Sequence, residues 1–211
     1  MFDFFVKNRV QIVTLTVEHI WLVAIAMLIA IVAGVPLGIL ISRRDWLRKP
    51  ILGSVNVIQT IPSLALFGFL LPLPWLGARA ERLAIAALAA YALLPIVRNT
   101  YTGILGIDPA VREAAVGMGL NSRQMLWKVE LPLTAPFIFS GIRIATVTAI
   151  GVATIAAAVG AGGLGEFIFR GVAMVNNQLI LAGAVPAAAL AIIADLGLGF
   201  IERRLHYPRV G

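Results

Sequence analysis

The sequence has no cysteine, so a disulfide framework and thiolate metal sites are both excluded. Charge is scarce as well: 13% of the 211 residues are Asp, Glu, Lys or Arg, against about 25% in soluble domains. There is no G-x-x-x-x-G-K-[ST] loop, so nothing in the chain is built to cradle nucleotide phosphates. No convincing internal repeat is visible, which argues against an inverted-repeat transporter. In place of these features, 60% of the chain is hydrophobic and the mean hydropathy is +0.96. Such a chain is an integral membrane protein. Its net charge of +7 does not indicate nucleic-acid binding, because the basic residues bracket apolar spans as the positive-inside bias requires.

Five apolar stretches are long enough to read as spans. The first covers residues 20–41 without a charge, close to the ~20 residues needed to cross a hydrocarbon core. Gly34, Pro36 and Gly38 soften its second half and permit close helix contact. Residues 1–19 are mixed and read as an interfacial amphipathic segment. The competing reading is a cleaved signal peptide. It fails on the length of the apolar run and on the poor cleavage context around Gly34 to Gly38.

The second span, residues 51–71, carries Asn56, Gln59, Thr60 and Ser63. Positions 56, 60 and 63 share one helix face, and polar groups facing lipid are costly, so this stripe points into the bundle or onto a wet path. The third span covers residues 83–97, with an extension to Tyr101. The fourth, residues 136–159, holds Arg143, which is expected to snorkel to the interface. The fifth, residues 179–201, holds Asp195. Two readings of Asp195 stay open: a helix-to-helix or interfacial hydrogen bond, and a direct part in gating. Between the last two spans, Gly160 to Glu166 is too rich in glycine to continue a helix and reads as an outer loop. His206 reads as a surface tail residue.

Basic residues orient these spans. Arg43, Arg44, Arg48, Lys49, Arg98, Arg112, Arg123, Lys128, Arg203, Arg204 and Arg209 fall in one set of connecting segments; only Lys7, Arg9, Arg79, Arg82 and Arg170 fall in the other. The N-terminus is therefore expected outside and the C-terminus in the cytoplasm.

Residues 108–132, DPAVREAAVGMGLNSRQMLWKVELP, are the longest stretch between apolar runs that is charged throughout. Asp108 suits the cap of a first short helix and Pro109 its first position. Gly117 and Gly119 loosen its end. Asn121, with Gln124 three residues on, opens a second helix in a capping-box pattern, and Pro132 interrupts the run that follows. A hinged helical pair outside the bilayer is a docking element.

Within it, Glu113-Ala114-Ala115, then Gly119, Val129 and Leu131-Pro132, resemble the EAA signature of permease subunits of binding-protein-dependent ABC importers, EAA-x3-G-x9-I-x-L-P. Val129 departs from it as a β-branched substitute for Ile. Two further stretches, Ile58 to Leu66 and Gly160 to Gly171, look like those of permeases for glycine betaine, carnitine and choline, as do AGAVPAAALAIIAD and the ERRL tail. The resemblance covers nearly the whole chain from the first span onward.

The resemblance implies an all-α membrane protein of the type I importer fold, with about five transmembrane helices in the bacterial inner membrane. It implies that Arg112, Glu113, Ala114, Ala115 and Gly119 form the coupling surface for a cytoplasmic ATPase. Two ATPase copies, a second permease, related or identical, and a separate extracytoplasmic binding protein complete the assembly. No cofactor is expected in this chain, since ATP and magnesium belong to the ATPase. The chain itself is a transport subunit rather than an enzyme. Asn56, Gln59, Thr60 and Ser63 are the residues favoured for the path. Tyr91, Phe67 and Phe69 are aromatic candidates for cation contact, with packing as their simpler role. A methionine or other amino-acid permease is the alternative within the family. An ion-coupled secondary transporter is the alternative outside it, with Asp195 as its sole intramembrane carboxylate.

Overall fold

A computed structural model describes residues 2–205, and His206 and Arg209 lie outside them. The described chain is helical. A short α1 (Phe2–Lys7) precedes α2 (Arg9–Arg43), α3 (Asp45–Thr60), α4 (Ser63–Leu70), α5 (Pro74–Gly77) and α6 (Ala80–Leu105). Then come α7 (Pro109–Gly117), α8 (Ser122–Met125), a π-helical turn at Leu126–Glu130, α9 (Leu131–Ala156), α10 (Gly165–Ala173) and α11 (Asn177–Leu205). Among the described residues, four helices are long and apolar enough to cross a membrane by themselves: α2, α6, the run from Ser122 to Val159, and α11. The pair α3 and α4 makes a fifth if its two bent halves count as one span.

The centre of the bundle is α6, packed between α2 and α9, with α3 also against it. Small residues let the helices close up. Ala26 and Ala30 on α2, Ala84 and Ala87 on α6, and Ala145, Ala149, Ala153 and Ala156 on α9 are all buried. Lipid tails are as apolar as these side chains, so association rests on close packing more than on the hydrophobic effect. Gly38 marks a close approach of α2 to α6. A Cβ placed there would lie 2.6 Å from Cβ of Thr100 and 2.9 Å from the Val97 carbonyl oxygen. A second apolar cluster joins Leu15 to Leu164, Phe167, Leu179 and Ala182, seating α10 and α11 against the start of α2.

The structure moves several expected boundaries. Residues 9–19 are not a segment apart from the first span: they form the opening turns of α2, with Leu15 and His19 buried. Helix continuity outlasts the hydrophobic stretch because the charged and polar side chains on those turns do not break the backbone ladder. The third span is likewise the longer α6.

The second span is not one helix. It breaks between Thr60 and Ser63, and its halves meet at 105°. Pro62 causes this, since the residue before a proline is pushed out of the helical region, and Ile61 is extended at φ −71°, ψ 127°. Ser63 therefore does not continue the face carrying Asn56 and Thr60. Pro132, expected to interrupt, instead sits in the first turn of α9, directly after the π-helical turn. That wider turn makes room for the ring, which would otherwise strike the carbonyl four residues back. The glycine-rich stretch is a turn, with Gly160, Gly162 and Gly163 all at φ near +80°. Glu166, however, already belongs to α10.

Candidate coupling surface and translocation path

Local chemistry shapes α7. The Asp108 carboxylate accepts from the Ala110 N–H at 2.9 Å, and Pro109 fills the first helical position. Gly119 ends the helix rather than merely loosening it. With φ at +82° it lets its own N–H reach the Val116 carbonyl at 2.9 Å while the Leu120 N–H reaches that of Ala115 at 3.1 Å. This pair of bonds is the Schellman closure, and its left-handed residue favours glycine. Asn121 and Gln124 then form a reciprocal capping box, at 2.9 and 3.0 Å, that opens α8.

On α7, Ala115 is buried, while Glu113 and Ala114 are exposed. Beside them Val116 and Met118 are 64% and 72% exposed. An apolar rim around an exposed carboxylate on a short helix is a surface suited to a protein partner.

Arg112 points the other way. Its Nε lies 3.4 Å from Oε1 of Glu130, and its Nη2 donates to the Ile104 carbonyl at the end of α6. The Glu130 carboxylate, fully buried in the π-helical turn, also takes a hydrogen bond from Arg43 at the end of α2. One carboxylate thus ties α7 to three long helices: α2 through Arg43, α6 through Arg112, and α9 through the π-helical turn. Sequence reasoning passed over Glu130, which is the unspecified position between Val129 and Leu131 in the EAA pattern. The sole sequence signal was an acid beside an apolar run in a basic segment.

A second junction holds the break between α3 and α4. The Tyr91 hydroxyl on α6 donates to the Ile61 carbonyl, and the Gln59 amide donates to the Tyr91 carbonyl at 2.9 Å. Non-helical backbone at membrane depth needs such partners, because no water is there to satisfy it. Tyr91 and Gln59 thus clamp the bend, and both line a groove of about 410 Å³ with Arg98, Asn99 and Thr148. Asn56 lies in the adjoining groove of about 340 Å³. Thr60 is exposed, its hydroxyl bonded to the Val57 carbonyl at 2.7 Å, and Ser63 begins α4; neither lines these two grooves. Phe67 is fully buried in the core, while Phe69 is exposed.

Arg143 and Asp195 meet each other. The guanidinium does not simply snorkel: Nε and Nη2 reach the two Asp195 oxygens at 2.6 and 2.9 Å, and Nη1 reaches Glu202 at 3.2 Å. Gly199 lies between those two acids on α11, and a Cβ there would stand 3.0 Å from the guanidinium carbon. The arrangement locks α9 to α11. At the opposite end of the bundle, the Gly163 N–H donates to Glu18 at 3.2 Å, and His19 Nε2 faces the Ile150 carbonyl at 3.1 Å. The first contact ties the glycine turn to α2, and the second ties α2 to α9.

A core of α2, α6 and α9, a broken second span and a short capped helix α7 between spans form the architecture, and comparison with known proteins gives the class: a transport permease. The chain belongs to the family described as binding-protein-dependent transport system inner membrane component, whose model matches residues 30–207. It is 44% identical over 194 residues to the osmoprotectant import permease protein OsmW of Salmonella typhimurium, covering 91% of this chain and 90% of that one. It is 42% identical over 203 residues to the choline transport system permease protein OpuBB of Bacillus subtilis, covering 96% and 92%. With the glycine betaine/carnitine/choline permease protein OpuCB of Bacillus subtilis the identity is 40% over 205 residues, covering 97% and 93%. Among solved structures, an inward-facing MetNI methionine ABC transporter chain superposes with a TM-score of 0.80 at 24% identity, covering 90% of this chain and 94% of that one. That likeness establishes the type I importer permease fold.

Proposed function

We propose that this chain is the permease of an ATP-driven importer for compatible solutes of the quaternary ammonium class: glycine betaine, carnitine and choline. The observation that carries this reading is 40–44% identity, over nine-tenths or more of the chain, to permeases named for osmoprotectant, choline and carnitine transport. The methionine transporter's likeness supports a shared fold and says nothing of its solute.

In this reading α7 seats on a cytoplasmic ATPase through Glu113, Ala114, Val116 and Met118. A second permease and a second ATPase complete the membrane assembly. A separate binding protein delivers solute at the outer face, and the N-terminus lies outside. Closure of the ATPase pair pushes on α7, and Glu130 passes that displacement to α2, α6 and α9 together. The two adjoining grooves beside the α3–α4 break, one lined by Gln59 and the other by Asn56, form the inner part of the path. Asp195 serves as a lock between α9 and α11.

Solute-stimulated ATP hydrolysis tests the proposal, in vesicles containing this chain, its co-purifying subunits and the binding protein. Stimulation by betaine, carnitine or choline is expected. Stimulation by methionine alone would keep the importer and discard the osmoprotectant.

A further inference from the structure

Arg98 stands in the inner half of α6, exposed, with no ion pair or hydrogen bond among the described residues. It is shared by two adjoining grooves, of about 410 and 340 Å³, and no carboxylate lines either one. Two other arginines of the long helices are engaged: Arg43 with Glu130, and Arg143 with Asp195 and Glu202. Arg98 is the one basic side chain lining these two grooves. Around it, the Asn56 amide and the Thr148 hydroxyl make no internal hydrogen bond, and Gln59 spends its NH2 on Tyr91 while its oxygen remains free. Leu94 and Ile144 supply apolar wall.

A guanidinium presents parallel donors that match a carboxylate in a bidentate fork, and such charge-assisted bonds are about twice as strong as neutral ones. The same fixed charge repels a ligand that carries only positive charge. We infer that Arg98 is the point in the path where the carboxylate of a zwitterionic solute is held, with Asn56 and Thr148 as auxiliary polar contacts. The ligand class is a small carboxylate-bearing quaternary amine, such as glycine betaine or carnitine, in preference to choline, which has a hydroxyl and no carboxylate. The inference rests on the osmoprotectant reading above and adds a discriminating residue within the permease itself.

The test is uptake of labelled glycine betaine and labelled choline into vesicles holding the complete importer, with the same binding protein throughout. Arg98→Gln is expected to lower the betaine-to-choline uptake ratio about tenfold, the effect of losing one charged hydrogen-bonding partner, with choline uptake retained. Thr148→Asp leaves Arg98 in place and supplies a carboxylate in the same groove, so it is expected to lower the ratio in the same direction. This second variant carries the test if Arg98→Gln fails to assemble. An unchanged ratio, or an equal fall in both solutes, overturns the assignment, as does wild-type uptake of choline without any carboxylate-bearing solute. Wild-type uptake of neither solute would instead overturn the osmoprotectant reading on which it rests.

Discussion

Glu130 is the only member of its charge cluster with no access to solvent; the side chains of Arg43 and Arg112 are 42% and 31% exposed. This asymmetry predicts which substitution hurts most. Glu130→Gln leaves two arginines that can turn to water, so the loss is that of a charged hydrogen bond, about 1.5–3 kcal/mol. Replacing Arg43 and Arg112 together with Met leaves a buried carboxylate with no countercharge, and that costs about 3–5 kcal/mol. Adding Glu130→Leu to the double variant removes the stranded charge and recovers most of the loss, because apolar replacement of a whole buried ionic set is often neutral. Thermal unfolding of the purified assembly reads the difference, with roughly 2–4 °C of midpoint expected per kcal/mol for a chain of this size. The double variant should melt about 10 °C lower, Glu130→Gln less far, and the triple variant near wild type. A triple variant no more stable than the double variant would refute the claim that Glu130 is the buried centre of the cluster. ATP hydrolysis in the triple variant is expected to persist with uptake lost, since the link from α7 to the spans is gone.

Other substitutions probe single contacts. Gly38→Leu forces a side chain into Thr100 and the Val97 carbonyl, and overpacking of about 1–3 kcal/mol or more is expected as a lowered melting point. Tyr91→Phe strips the donor from the Ile61 carbonyl at the α3–α4 break. It should impair uptake more than ATPase assembly, measured as transport per co-purified complex, and equal loss of both would contradict a local role. Gly119→Ala meets no neighbouring atom but demands a left-handed L-residue, at about 1–2 kcal/mol. Weaker retention of the ATPase during purification is the expected reading, with membrane insertion unchanged.

What could be read in advance follows from how local each signal is. Asp108, Pro109, Asn121 and Gln124 act on backbone groups within three residues, so the short helices α7 and α8 were visible in the chain. The spans were visible as apolar runs, but their ends were not, since α2 and α6 continue as helix past the hydrophobic stretch. Pro62 was in view, yet the apolar residues on both sides hid a bend of 105°. The α10 helix was masked by the glycines ahead of it. The pairings of Glu130 with Arg43, 87 residues away, and of Arg143 with Asp195, 52 residues away, are tertiary facts that no local pattern encodes.

The central claim is that α7 is the mechanical contact with the ATPase, and the absence of cysteine makes it directly testable. Ala114→Cys introduces one thiol on the exposed face of α7, to be paired with single cysteines placed along the groove of the ATPase. The account predicts an oxidant-induced cross-link that arrests solute uptake and is reversed by reductant. Failure of Ala114→Cys to cross-link at any groove position, while a cysteine elsewhere on this chain does so, would contradict it.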